Sequence, residues 1–219
     1  MQGIVVFLGP SLPRDEAAGI LPASYLPPAR RGDIPGAVEE GARLIGLIDG
    51  VFFQDCSVGH REILDAISRG VRVVGASSMG ALRAAELDTL GMEGVGEVYR
   101  LYRDGTLISD DEVALVFDPE TGIALSEPLI NIRCTLRDAE KKKVVDSATG
   151  DRILSLARSV YFPERTWDRI LELAEGQVDP GTLRRFSGFV TEHPVDQKRD
   201  DAIAALHRIR EIGRELDLL

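Results

Sequence analysis

The sequence predicts an α/β fold, a parallel sheet covered by helices with a helical extension at the C-terminal end. Short, largely apolar runs recur at Gly3–Leu8, Leu44–Ile48 and Val71–Val74, as expected of strands buried on both faces. Each run closes on turn-forming residues and gives way to an amphipathic segment, the alternation that marks right-handed crossovers. From Thr135 onward the periodicity is mostly helical.

Taken in order, Gly3–Leu8 ends in Gly-Pro-Ser, and Ser11 is placed to cap a helix with Pro13 in its first turn. The proline-rich stretch from Tyr25 to Asp33 must be largely irregular, and Pro35 opens a short helix to about Arg43. Leu44–Ile48 is closed by Asp49-Gly50, with a loop to Gly59, a helix from His60 to Ser68 and a stop at Gly70. Val71–Val74 leads through a turn to a helix over Ala81–Leu87. Beyond Gly91, Val95–Tyr102 reads as a helix, Glu112–Phe117 as a strand, and Leu129–Arg133 as a strand or helix entry. Helices are expected over Arg152–Val160, Trp167–Ala174 and Gln197–Leu218. The last carries Ile203, Leu206, Ile209, Ile212 and Leu216 on one face. The expected architecture is a Rossmann-like core over residues 1–133 with a helical region over 134–219.

Composition narrows the function. A chain of 219 residues with 44% hydrophobic and 28% charged residues buries a sizeable core. No apolar run reaches the length of a membrane span, and the opening MQGIVVFLGP reads as a buried strand rather than a signal peptide. Cys56 and Cys134 lack CxxC spacing, which points to neither a disulfide framework nor a structural zinc site, and a reducing cytoplasm is the expectation. A net charge of −10 argues against nucleic acid as the main partner.

The sharpest chemical feature is Val73-Val74-Gly75-Ala76-Ser77-Ser78-Met79-Gly80-Ala81. It runs strand, tight turn, helix, with small residues two before and two after Ser78, close to the nucleophile-elbow pattern with Ala76 in place of the first glycine. The Met79 and Gly80 N–H groups at the helix start are candidate oxyanion donors. An ordinary strand–helix turn, or one that binds an anion, is the plainer reading. His193 and His207 follow the serine but lie in the charged tail, so the α/β-hydrolase arrangement does not fit. His60 opens a helix after the second apolar run and is the candidate base, with Glu62 or Asp49 to orient it. Ser11, after the first strand, is a candidate second donor. Arg83 lies roughly 140° round the helix from Ser78, and Arg83 and Arg133 are the candidate anion-binding cations, although a salt bridge from Arg83 to Glu86 is simpler. Cys56 is a weaker candidate nucleophile, and Asp110-Asp111-Glu112 reads as a solvated turn rather than a metal site. Gly91-Met92-Glu93-Gly94-Val95-Gly96 does not directly follow an expected strand, so it is not read as a dinucleotide loop.

The blocks Gly9–Leu12, Pro27–Ile34, Asp49–Phe52, His60–Leu64, Gly75–Leu87, Gly91–Gly96 and Asp110–Ala114, in that order, make the chain resemble the TfuA-like family over its first half, to about Arg133. Gly59 departs slightly, since a bulkier residue is common before the histidine. TfuA-like proteins work beside YcaO enzymes, which use ATP to activate a peptide amide and install a backbone thioamide, as in trifolitoxin maturation and the thioglycine of methyl-coenzyme M reductase. The resemblance implies a role in sulfur supply: release of sulfide from a thiocarboxylated, ubiquitin-like sulfur carrier. It implies as partners the YcaO enzyme and the carrier, with no cofactor and no metal, and a homo-oligomer is left open. On this reading Ser78 would be the nucleophile, His60 the base, the Met79 N–H an oxyanion donor, and Arg83 or Arg133 the charge offsetting the anionic thiocarboxylate. Two alternatives stand beside it: a non-catalytic adaptor binding enzyme and carrier, and an unrelated esterase.

Overall fold

The computed structural model describes residues 3–52 and 56–219, so the expected loop after Asp49 is described apart from residues 53–55. Two compact units are present, one formed by residues 1–110 together with 198–219, the other by 111–197.

The first unit is built on five parallel strands: β1 (Ile4–Phe7), β2 (Ser24–Leu26), β3 (Leu44–Leu47), β4 (Arg72–Ala76) and β5 (Glu93–Val95), in the order β2-β1-β3-β4-β5. The three central strands are the apolar runs; four of the five residues of β4 and all of β1 and β3 are buried. The two edge strands were not expected. Each is three residues long, and Ser24-Tyr25-Leu26 and Glu93-Gly94-Val95 lack a continuous apolar run because each has a single neighbour and only partial cover. Helices α1 (Arg14–Ile20), α2 (Asp33–Glu39), α3 (His60–Ser68), α4 (Met79–Leu87) and α5 (Glu97–Arg103) connect or follow the strands. Pro13, not Ser11, is the residue before α1, and α2 opens at Asp33, two residues earlier than Pro35, from Gly32 at φ 93°. The glycine-rich stretch 91–96 contains β5 itself, and Gly96, at φ 97°, turns the chain into α5.

The long helix α10 (Gln197–Glu215) packs Ala202, Leu206, Ile209 and Ile212 onto one sheet face with Ile4, Val6 and Leu44, while α2, α3 and α4 cover the other face through Ile34, Ile63 and Ala84. The α10 contact is close: a Cβ on Gly46 of β3 would lie 2.6 Å from the Ile209 Cδ1. Asp201 of α10 accepts hydrogen bonds from the Glu97 and Val98 N–H groups at 3.0 and 2.8 Å, filling the α5 N-terminus with an internal carboxylate.

The second unit is helical: α6 (Leu129–Lys141), α7 (Ser147–Ser159), α8 (Trp167–Ala174) and α9 (Pro180–Glu192) bury Ile132, Leu136, Ile153, Ile170 and Phe186 together. The expected division at 133/134 falls inside α6. The strand expected over Glu112–Phe117 is absent: Asp110–Glu112 forms a 3-10 turn, and only an isolated bridge joins Phe117 to Ala124. Ion pairs explain the departure. Glu112, buried, accepts both arms of Arg133 at 2.7 Å and Arg158 at 3.3 Å, while Asp111 binds Arg165, whose side chain is 1% exposed. These carboxylates are anchors for arginines, and no cluster able to hold a metal occurs among the described residues.

Helix α4 approaches β3 so closely that Gly80 is obligatory: a Cβ there would lie 1.6 Å from the Leu47 carbonyl oxygen, a backbone atom that cannot move aside. Gly80→Ala is expected to destabilise by more than about 3 kcal/mol, whereas Gly188→Ala, facing open space in α9, should be neutral or stabilise by up to about 1 kcal/mol in urea unfolding. Tyr25 donates its hydroxyl to the carbonyls of Ala17 and Leu21 at 2.8 Å. Burial pushes its pKa from 10.0 up to about 12, against the opposing charge of Arg14. Below pH 10 both states hold the proton; above it the unfolded chain ionises first, so stability should fall from pH 10 to 12 as the folded pKa is approached. Urea unfolding across that range should show a shallower fall in Tyr25→Phe.

Candidate functional site

The strand order 2-1-3-4-5 reverses direction between β1 and β3, and in open parallel sheets ligands gather outside the carboxyl ends of strands at such a point. Here that crevice is filled from within. Asp49, immediately past β3 and 2% exposed, accepts hydrogen bonds from Gly9 N at 2.8 Å, Ser11 N at 3.1 Å and Ser11 Oγ at 2.7 Å. The loop amides after β1 that would otherwise be free to hold a ligand's anion hold this carboxylate instead. Asp49 therefore binds Ser11, not His60.

The chain of contacts continues to β4. Ser77 Oγ donates to Ser11 Oγ at 2.9 Å, and the direction is forced, because an ionised carboxylate only accepts and so commits the Ser11 proton to Asp49. Ser77 is the sharpest bend in the turn. Its φ is +66°, and Ser78 N donates back to Ala76 O at 2.7 Å, which makes Ala76–Ser78 a γ-turn of the rare positive-φ kind. Such a conformation costs a non-glycine residue on the order of 1–3 kcal/mol. The small neighbours have the steric reason expected of them: a Cβ on Gly75 would lie 2.2 Å from Gly80 O.

Ser78 follows at φ −121°, ψ −124° as the residue before α4 and caps nothing with its side chain. Its Oγ has no hydrogen-bond partner among the described residues. The residue itself is buried, 2% exposed. Of the two amides expected to face an anion, Gly80 N is taken by Ile48 O at 3.3 Å, while Met79 N has no backbone acceptor among the described residues.

His60 stands elsewhere. Its Nε2 lies 2.8 Å from Glu86 Oε2, the same oxygen that accepts from Arg83 Nη1 at 2.7 Å, and Arg83 Nε donates to Val58 O. Glu86 is eight residues past Ser78, about 12 Å along α4 at 1.5 Å per residue, so the imidazole is held some two turns from the serine. Glu62 is occupied as the α3 capping box, accepting from Gly59 N and Gly32 N. A larger residue would fit at Gly59, whose Cβ would meet only Glu62 Oε1 at 3.5 Å. Arg133 belongs to the second unit, where the hydrogen bonds it donates to Glu112 hold its guanidinium above its usual pKa. Cys56 is exposed and Cys134 buried.

Beside the turn opens a cleft of about 470 Å³ lined by Phe52, Ser57, Met79, Leu82, Arg83 and Glu86. A depression of about 560 Å³ between α8 and α9 is larger, but its floor of Leu171, Val178 and Leu183 brings no reactive constellation with it. The sequence pattern had centred the turn on Ser78 and left Ser77 without a role; the signal available was the run Gly75-Ala76-Ser77, which also places a small residue two before Ser77.

The fold and site together define a parallel α/β protein with a strained serine turn at the carboxyl edge of its sheet, braced by a buried carboxylate. It belongs to the TfuA-like family: the model described as TfuA-like protein matches residues 49–166. The match takes in Asp49, His60 and the whole serine turn, extends past Arg133, and leaves the Gly9–Leu12 and Pro27–Ile34 blocks outside it. A search of curated proteins gives no match. TfuA-like proteins are associated with YcaO proteins and thioamidation. No helix among the described residues is long and apolar enough to cross a membrane.

Removing Arg133 leaves Glu112 buried with only the longer contact to Arg158. Arg133→Ala is expected to lose about 3 kcal/mol in denaturant unfolding, with protection from hydrogen exchange falling first in α6.

Proposed function

We propose that this protein supplies sulfur for peptide backbone thioamidation, releasing sulfide from a thiocarboxylated, ubiquitin-like carrier for use by a YcaO enzyme. The observation that carries this reading is the strained turn in which neither the Ser78 Oγ nor the adjacent Met79 N–H has a hydrogen-bond partner among the described residues. A thiocarboxylate is anionic and resists nucleophiles, so the electrostatic demand is to receive negative charge. The start of the nine-residue helix α4 offers an amide and the positive end of a dipole at that point. Ser78 Oγ adds to the carrier's terminal carbonyl carbon, its proton leaves through a base, and the C–S bond breaks. An acyl-serine and hydrosulfide are formed, with the serine proton ending on sulfur. Water then cleaves the ester to give the carrier carboxylate, a proton and free Ser78. His60 serves as the base in this scheme once it exchanges Glu86 for the serine, and Arg83 meets the substrate anion only by giving up its own bond to Glu86.

A second reading is favoured by one specific observation: His60 is bound to Glu86, and no base touches Ser78 Oγ among the described residues. On that reading the turn binds the carrier tail as an adaptor for the YcaO enzyme without cleaving it.

Mass spectrometry of a thiocarboxylated carrier incubated with this protein alone separates the two. The hydrolytic reading predicts conversion of carrier thiocarboxylate to carboxylate, lost at least about 10²-fold in Ser78→Ala and reduced about 10²-fold or more in His60→Ala. No conversion alone, with faster thioamidation when the YcaO enzyme is present, would leave the adaptor reading standing instead.

A further inference from the structure

We infer that Ser77 is a positioning residue: the one-way hydrogen-bond chain Ser77–Ser11–Asp49 holds the γ-turn that aims Ser78 Oγ and the Met79 N–H at a common point. This rests on the hydrolytic reading of the same turn and names the device that regulates its geometry.

Ser77 is fully buried and sits at φ +66°, where glycine would be free of strain. A serine there accepts a cost that glycine avoids, and what the serine adds is one hydrogen bond, to Ser11 Oγ at 2.9 Å. Ser11 is itself immobilised from two sides, since both its N–H and its hydroxyl donate to Asp49. Asp49 in turn is clamped by Gly9 N. The β1–α1 loop, the end of β3 and the β4–α4 turn are thus connected through side chains at the switch point of the sheet. The Ser77 proton is committed to Ser11, so Ser77 does not compete with Ser78 for the role of nucleophile. Its part is to fix the backbone one residue earlier, in the peptide plane whose N–H closes the γ-turn onto Ala76 O. Displacing a reacting group by about 1 Å is enough to reduce a rate about 10²-fold.

The substitutions Ser77→Gly and Ser11→Ala cut the same chain from opposite ends. Wild type and both variants are compared for sulfide release from a thiocarboxylated carrier, for thermal midpoint, and for the position of the Met79 amide resonance. Ser77→Gly is expected to keep or raise the thermal midpoint, because the strain is relieved, while kcat falls about 10²-fold. Ser11→Ala, 66 residues from Ser77 in the chain, is expected to move the Met79 resonance and to lower kcat similarly. An active wild type with kcat unchanged in both variants overturns the proposal, whatever the resonance does. So does a loss of kcat that merely tracks a fall in thermal midpoint, which would make the chain a structural brace. If wild type releases no sulfide, the hydrolytic reading fails on its own, and the resonance decides: movement in Ser11→Ala upholds positioning, and an unmoved resonance overturns it.

Discussion

The carboxylate of Asp49 is the interaction on which the edge of this sheet depends. It lies where the strand order reverses between β1 and β3, and three hydrogen bonds draw the β1–α1 loop onto it. A buried negative charge without partners would be prohibitive; with two backbone amides and a hydroxyl it becomes a fixed point. From that point the Ser11 hydroxyl reaches across to the β4–α4 turn. The sheet's most ligand-ready crevice is thereby occupied by the protein itself, and the open chemistry is displaced one connection along, to the turn after β4. Asp201 repeats the device at the start of α5, where another internal carboxylate answers helix N–H groups. Two of the positions at which a parallel α/β protein commonly binds an anion are filled from within; at the start of α4 no described residue claims the Met79 N–H.

Steric closeness explains why the turn keeps its shape. Gly80 places α4 against the Leu47 carbonyl, and Gly75 admits the Gly80 carbonyl, so neither helix nor strand can shift to relax the turn between them. The strain at Ser77 is held by this vice and by its bond to Ser11. The charged cluster beside it is more exposed: His60 and Arg83 share one oxygen of Glu86, with His60 half-exposed and Arg83 largely covered, about two helical turns from Ser78. A rigid serine turn beside an exchangeable cluster of base and cation suits a site that completes itself when an anionic substrate arrives.

The central strands, the helices α3, α8 and α10, and the importance of the Gly75–Ala81 turn were legible in the sequence because burial on both faces and helical periodicity leave strong local patterns. The edge strands Ser24–Leu26 and Glu93–Val95 were not, since three residues with one neighbour carry no such pattern. Glu112–Phe117 looked like a strand from its continuous apolar run, Val113 to Phe117, but the pairing of Glu112 with Arg133 and Arg158, partners 21 and 46 residues away, decides its conformation. The same limit applies at the site. Ser11 read as a helix cap and donor and Asp49 as an orienting acid for histidine, yet their bond to each other spans 38 residues. Which of two adjacent serines takes the strained backbone is decided by that long-range chain, with only the small residues Gly75 and Ala76 as a local signal.

We propose Ser78, presented by this braced turn, as a covalent nucleophile toward a thiocarboxylate. Rapid quenching of the protein with a thiocarboxylated carrier, followed by peptide mapping of the joined chains, tests it most directly. The account predicts an ester linking the carrier's terminal carbonyl to Ser78, absent in Ser78→Ala. Sulfide release at the wild-type rate in Ser78→Ala, or an acyl linkage mapped to Cys56 instead, would contradict it.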